Sequence, residues 1–312
     1  MAVPAIEAIG LAKRFKSVEA LKGIDFSVEA GRSLALVGPD GAGKTTAMRL
    51  ACGLLEPDSG CVRIFGDRPS SAGSKARIGY LSQRFSLYGD LSVDENVAFF
   101  AEIHGMSDYA ERRDRLLDFT RLKPFRDRQA GRLSGGMRQK LALACALVHE
   151  PRILLMDEPT TGVDPVSRRE FWSIIAELGR EGMTVVTATP YLDEAERFDA
   201  VGFLDRGRFL ALDSPRALKE SFAWEIVELV CPDARRAAAL VGAKDFRSSE
   251  GSGGIAAAQA FGDRVSLLSR DGAAARAAAV SALAAAGIAV SSSRLTGPSL
   301  ENVFMELLGG AE

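Results

Sequence analysis

Residues 38–46 of this 312-residue chain read Gly38-Pro-Asp-Gly-Ala-Gly-Lys-Thr-Thr46, a glycine-rich loop that ends in a lysine and two hydroxyls. Glycines at this spacing let backbone N–H groups converge on phosphate oxygens where any Cβ would intrude. A helix that begins at the lysine adds the positive end of its dipole. Gly38, Pro39, Asp40, Gly41, Ala42, Gly43, Lys44, Thr45 and Thr46 together form a candidate phosphate cradle. Lys44 is expected to reach the β- and γ-phosphates of a nucleotide, and the Thr45 hydroxyl to ligate Mg²⁺. A plain Gly-rich turn is the competing reading. It is disfavoured by the apolar run Ser33–Val37 before the loop and the helical pattern Lys44–Leu55 after it.

A second chemical signal lies at Ile153-Leu-Leu-Met156, which runs into Asp157-Glu158-Pro159. Ligands of open parallel sheets bind at strand carboxyl ends, so a buried strand ending in two acids places both beside the phosphates. Asp157 is expected to hold Mg²⁺, and Glu158 to polarise the water that attacks the γ-phosphorus. Two acids after a strand could be a solvated turn when taken alone. Together with the glycine-rich loop they indicate a P-loop NTPase.

The elements that must position these residues are legible as alternation. Ser33–Val37, Ile153–Met156 and Thr184–Thr187 are short apolar runs suited to buried parallel strands. Lys44–Leu55, Val93–His104, Gly135–His149 and Pro165–Gly179 carry helical patterns between them, which indicates an α/β layered fold. The character changes near residue 220. Glu225–Cys231, Arg264–Ser269 and Ile288–Leu295 read as strands, Asp233–Val241 and Ala273–Ala286 as Ala-rich helices, and Ser299–Leu308 as a last amphipathic helix. This suggests a small α+β appendage of ferredoxin-like type over 221–312, following a main domain over 1–220, with a Ser/Gly-rich loop at 248–254.

Bulk composition narrows the function. Hydrophobic residues make up 47% and charged residues 26%, with a net charge of -2, an ordinary globular balance without the basic excess of a nucleic-acid binder. Cys52, Cys61, Cys145 and Cys231 form no C-x-x-C pair and do not cluster in the sequence with the two histidines, His104 and His149. Reduced thiols of a cytosolic protein are the simpler reading. No apolar run approaches the roughly 18 residues of a membrane span, and no secretory signal is evident. The expected location is therefore cytoplasmic.

Leu133-Ser-Gly-Gly-Met-Arg-Gln-Lys140 makes the reading specific, because it resembles the signature motif of ABC transporter ATP-binding subunits. The resemblance implies a RecA-like core plus helical subdomain. It also implies that Ser134, Gly135 and Gly136, at a helix N-terminus, close on the γ-phosphate held by a partner cassette, so that each ATP lies between two chains. Phe15 resembles the aromatic residue that stacks on adenine, with a core aromatic as the alternative. Gln83, in Gly79-Tyr-Leu-Ser-Gln83, matches the glutamine that touches Mg²⁺ and reports to the permease. The stretch Leu87–Asn96 is similar to the region facing a permease's coupling helix. Gly162-Val-Asp-Pro165 looks like the loop from which Asp164 crosses to the opposite site. Gly297-Pro-Ser-Leu-Glu-Asn-Val-Phe304 resembles the end of the appendage in bacterial drug- and ion-export ATPases. The implied partners are integral-membrane permease subunits on separate chains and a second ATPase subunit, identical or different, at the cytoplasmic face of the cell membrane.

One position departs from the pattern. The family places a histidine after the strand that follows Asp164, whereas this chain reads Thr187-Ala-Thr-Pro190-Tyr-Leu-Asp-Glu-Ala195. Pro190 has neither a side-chain donor nor a backbone N–H. Either Thr189 or Tyr191 substitutes, or hydrolysis is slow and partner-dependent. Two further functions compete with transport. A non-transport ABC ATPase acting on nucleic acid or the ribosome lacks its usual insertions here, and a nucleotide-sensing regulatory subunit is supported only by Pro190.

Overall fold

The computed structural model describes residues 3–83, 87–243, 246 and 254–309. The chain divides into two compact units, Met1–Pro215 and Arg216–Glu312.

The first unit opens with β1 (Ile6–Phe15), β2 (Val18–Val28), β3 (Ser33–Val37), α1 (Lys44–Ala51) and β4 (Ser59–Ile64). Next come α2 (Ala72–Ala76), β5 (Ile78–Leu81), α3 (Val93–Ile103), α4 (Ala110–Phe119) and α5 (Gly135–Leu147). The unit continues with β6 (Ile153–Asp157), α6 (Pro165–Arg180), β7 (Thr184–Thr189), α7 (Leu192–Ala195), β8 (Ala200–Asp205) and β9 (Arg208–Asp213). The central sheet runs β5-β6-β7-β3-β8-β9. Its members pair in parallel except for β9, which returns antiparallel along β8. Such strands are covered on both faces, which explains why β3, β6 and β7 are near-continuous apolar or Thr runs and not alternating ones.

Register is the feature that builds the site. Val37 at the end of β3 lies opposite Thr189 at the end of β7. Asp157 at the end of β6 lies opposite Ala188, and Leu81 at the end of β5 lies opposite Met156. Four strands therefore finish at one level, and the residues that follow them emerge side by side. A smaller antiparallel sheet, β2-β1-β4, packs on the same core, in which Leu36, Met48, Leu50, Ile64, Leu155 and Val186 are all buried. A helical segment is inserted between β5 and β6, with α5 packed against α3 and α4. Its first helix starts at a capping box in which Ser92 and Glu95 satisfy each other's backbone N–H groups.

α8 (Pro215–Glu220) begins at the division between the units. The second unit then holds β10 (Glu225–Val230), α9 (Ala234–Gly242), β11 (Ile255–Phe261), β12 (Arg264–Ser269), α10 (Gly272–Ala285), β13 (Ser292–Thr296) and α11 (Leu300–Gly309). Its sheet runs β11-β12-β10-β13 with every neighbouring pair antiparallel. This is the order of a ferredoxin-like βαββαβ unit. The sequence pattern showed only three of the strands. Ile255-Ala-Ala-Ala-Gln-Ala-Phe261 lacks the β-branched enrichment of a strand and pairs because Gly262, at φ +59°, starts a two-residue hairpin into β12. The last strand also begins at Ser292, later than its apolar prefix suggested. Ala237, Ala275 and Ala279 are buried against Val227, Leu229, Val265 and Leu267, so the alanine richness serves close helix–sheet packing. Apart from Gly254, the Ser/Gly-rich stretch 248–254 lies outside the described residues.

Candidate functional site

The loop between β3 and α1 surrounds a cavity of about 370 Å³. Residues 40–46 form its floor, Val18 and Ala20 one wall, and Gln83 and Glu158 the other. Two of the loop glycines are dictated by sterics. A Cβ on Gly38 would overlap the Leu204 carbonyl, and one on Gly43 would press against the Ala20 carbonyl and the Leu21 side chain. Gly43 also sits at φ +110° as the N-cap of α1, a conformation open to glycine and costly to other residues. The Lys44 ammonium is 4% exposed. It donates to the Gly38 carbonyl at 2.7 Å and the Pro39 carbonyl at 3.0 Å.

Asp157 ends β6 beside the loop, and Glu158, the next residue, lines the cavity. Thr45 Oγ1 donates to Asp157 Oδ1 at 3.0 Å, so two hard oxygen donors stand together. Burial, opposed by the Thr45 hydrogen bond and reinforced by the neighbouring Glu158 charge, raises the Asp157 carboxyl above its ordinary range. A buried carboxylate in that condition gains from a cation. Glu158 lies 3.7 Å from the Lys44 ammonium and accepts from Gln83 Nε2 at 3.0 Å and from Thr161 Oγ1 at 3.4 Å. Its backbone has φ +49°, anchored by its N–H on the Ala188 carbonyl at 2.8 Å. A non-glycine residue held in the left-handed region carries roughly 1–2 kcal/mol of strain. Here that conformation turns the side chain out of β6 toward Lys44 and Gln83. The oxygen donors of Thr45, Asp157 and Gln83 have the hardness that Mg²⁺ favours, with the remaining positions left to phosphate and water.

Phe15 is 43% exposed at the end of β1, which removes the core-aromatic alternative, and the Lys13 ammonium lies over its ring. It does not line the cavity, where Val18 and Ala20 face the loop instead. Ser134 caps α5 by accepting from the Met137 N–H at 3.3 Å. Ser134, Gly135 and Gly136 do not line the cavity of their own chain either. Gly136 is needed for a reason the sequence did not show, since a Cβ there would overlap the Ser167 side chain. Asp164 caps α6, accepting from the Val166 and Ser167 N–H groups at 3.1 and 3.0 Å. The Ser167 hydrogen bonds foremost hold its carboxyl below the ordinary range.

The position after β7 is resolved clearly. Pro190 is exposed. The Thr189 hydroxyl is fully buried, donates to Glu194 Oε2 at 2.5 Å and accepts from the Tyr191 N–H at 3.1 Å. The Tyr191 ring lies against the Arg168 guanidinium. Thr189 is thereby committed to an internal network and offers no spare donor. Among the described residues, no group of three His, Cys, Asp or Glu side chains is placed to hold a metal ion. No helix among them is long and apolar enough to cross a membrane.

Comparison with known proteins places the chain in a family. The ABC transporter family profile matches residues 21–161. Probable multidrug ABC transporter ATP-binding protein YbhF of Escherichia coli is 47% identical over 220 residues, covering 69% of this chain and 38% of that protein. The chain thus spans well under half of that relative's length. Nod factor export ATP-binding protein I of Burkholderia orbicola is 38% identical over 239 residues, covering 75% of this chain and 79% of that protein. Among solved structures, cbiO1 of Clostridium perfringens, part of the ABC transporter complex cbiONQ, superposes with a TM-score of 0.64 at 28% identity. That match covers 70% of this chain and 91% of that one. A bacterial ABC transporter cassette solved as a dimer gives a TM-score of 0.62 at 26% identity, covering 67% and 98%. The glycine-rich loop, the Asp157–Glu158 pair and the Ser134-Gly-Gly helix start stand on a cassette fold, and the chain belongs to the ABC transporter ATP-binding family.

Proposed function

We propose that this chain binds and hydrolyses ATP and couples the cycle of a cassette pair to a separate membrane permease that exports its substrate. The observation that carries the reading is the convergence of three chain segments: Lys44 and Thr45 at the start of α1, Gln83 beyond β5, and Glu158 after β6 line one cavity, and Asp157 at the end of β6 is bonded to Thr45. Lys44 meets the β- and γ-phosphates, Glu158 accepts a proton from the attacking water, and Gln83 orients that carboxylate. Mg²⁺, held by Thr45 and Asp157 with Gln83 beside them, neutralises phosphate charge when bound. Phe15, exposed beside the β2 wall, is available to stack on adenine.

The signature residues support a paired arrangement. Ser134, Gly135 and Gly136 lie outside their own chain's cavity and begin a 13-residue helix, so their N–H groups suit the phosphate of a second cassette. Export is favoured by the multidrug and Nod factor export names of the relatives and by the appendage that follows the cassette. The second reading is a slow, partner-dependent site. The buried and doubly bonded Thr189 hydroxyl favours it, because that donor beside Pro190 is already given to Glu194. Loss of one preorganised donor costs about 10²–10³ in rate.

Steady-state ATP hydrolysis with Mg²⁺, measured across protein concentrations beside a Glu158→Gln control, tests the proposal. Activity that rises more than linearly with concentration and vanishes in the control supports a self-pairing hydrolase. Retained ATP binding without hydrolysis at any concentration overturns self-sufficient hydrolysis and leaves the partner-dependent reading.

A further inference from the structure

Glu194 is 1% exposed, yet its carboxylate belongs to no group described so far as touching nucleotide. Its Oε1 accepts from Thr160 Oγ1 over a short bond, from Arg168 Nε at 2.7 Å and from Trp172 Nε1 at 2.8 Å. Its Oε2 accepts from Thr189 Oγ1 at 2.5 Å. An ionised carboxylate has about four lone-pair sites, and four donors meet this one, three on Oε1 and one on Oε2. All four donors are side chains, and they come from three separate stretches of chain.

Those stretches adjoin residues to which the proposed function gives a part at the nucleotide. Thr160 stands two residues after Glu158, whose positive φ must be held by its surroundings. Thr189 immediately precedes Pro190. Arg168 and Trp172 lie on α6, the helix that Asp164 caps, and Arg168 also grips Asp193 through both carboxylate oxygens at 2.8 Å. Burying a carboxylate is costly unless it is paired and fully hydrogen-bonded. Apolar residues of similar volume would hold three elements together at less risk. A buried charge here instead enforces one relative placement, because displacing any of the three segments leaves it under-satisfied.

We infer that Glu194 is a positioning residue, which locks the Glu158 loop, the start of α6 and the loop bearing Pro190 into the arrangement that hydrolysis requires. The inference rests on the proposed hydrolytic function for its kinetic consequence, and on geometry alone for its structural one. In a cassette without the histidine donor, the loop's placement is set from below by Thr189 and Glu194, not from above by a contact with phosphate. Glu194 itself touches no reacting atom. Its removal should therefore lower kcat while sparing the affinity for nucleotide, which is set by residues 38–46.

Glu194→Ala and Glu194→Gln in the full chain provide the test. The amide can keep the three Oε1 bonds and donate to Thr189 Oγ1, so Gln is the conservative variant. Glu194→Ala is expected to lose at least about tenfold in kcat, with KM for ATP and equilibrium ATP binding within about threefold, since small misplacements of catalytic groups act on rate. Glu194→Gln is expected to recover most of that loss. A readout that needs no hydrolysis accompanies this. Amide hydrogen exchange in segments 158–163 and 188–192 should accelerate at least about tenfold in Glu194→Ala, while α1 stays protected. Unchanged kcat in a folded Glu194→Ala overturns the inference, as does uniform acceleration of exchange throughout the chain. If the wild-type protein binds ATP without hydrolysing it, the hydrolytic reading fails, and the exchange pattern still decides for or against Glu194.

Discussion

Gln83 Nε2 donates to Glu158 Oε2 across 3.0 Å, joining the second residue beyond β5 to the residue just beyond β6. The bond fixes one carboxylate oxygen and leaves Oε1 directed toward Lys44. In the proposed role of base, a carboxylate held this way has a defined direction toward its water.

Two substitutions separate the partners. Glu158→Gln removes the base while keeping its shape, and kcat is expected to fall by about 10²–10⁴-fold with ATP binding retained. Gln83→Ala leaves the base unoriented, and a loss of about tenfold is expected, the size of one hydrogen bond to a charged acceptor. Multiple-turnover phosphate release, read beside nucleotide binding, distinguishes them. Equal losses in both variants would show that Gln83 does more than orient Glu158.

The contact between Gly136 and Ser167 predicts a suppressor pair. Gly136→Ala inserts a Cβ into the Ser167 side chain, and overpacking of this kind costs about 1–3 kcal/mol. Ser167→Gly in the same chain should restore most of the denaturation midpoint. A double variant no more stable than Gly136→Ala would show that the clash is not the cause.

These cases show what could be read from the chain alone. The glycine-rich loop and the Asp157-Glu158 pair are local, and each carries its strand or helix beside it, so their roles were visible. Pro190 was legible as a departure, but the fate of Thr189 was not, because its acceptor Glu194 draws its other partners from residues 160, 168 and 172. Glu194 stood inside a recognised pattern and still had no role until those side chains were seen to converge. Gly136 was read as a phosphate contact, and its second constraint came from α6. The strand Ile255–Phe261 went unseen because four of its residues are alanine, a residue depleted from strands, and pairing with β12 overrides that preference.

His149 predicts an acid-sensitive stability. Its Nε2–H donates to the Ile78 carbonyl at 3.0 Å, its ring stacks on His104 with centroids 3.7 Å apart, and its buried Nδ1 has no hydrogen-bond partner. Protonation would put a proton on that orphaned nitrogen. Burial foremost, then the nearby His104 charge, lowers its pKa from 6.5 to about 4. The denatured chain therefore takes up this proton at a higher pH than the native one, and stability contributed by the neutral ring falls as pH drops from about 7 to 4. Below that window the group contributes no further change. His149→Phe should reduce proton uptake on unfolding near pH 5 by up to about one proton, measured from denaturation midpoints across pH. An acid limb of unchanged slope would assign the effect to other groups.

Pro190 sets the last prediction. The loop after β7 leaves β7's end at the level of Val37 and Asp157, so its next residue stands where a donor could meet the γ-phosphate. Proline presents none, and the Thr189 hydroxyl beneath it is already given to Glu194. Pro190→His should raise kcat by up to about 10²–10³-fold, the worth of one preorganised donor to a developing anion. KM should change little, because the added bond strengthens with transition-state charge. The same substitution made with Glu194→Ala should gain far less, since the loop that carries the new imidazole would no longer be held. A Pro190→His chain that is folded, binds ATP and turns over at the wild-type rate would show that another step limits this cassette.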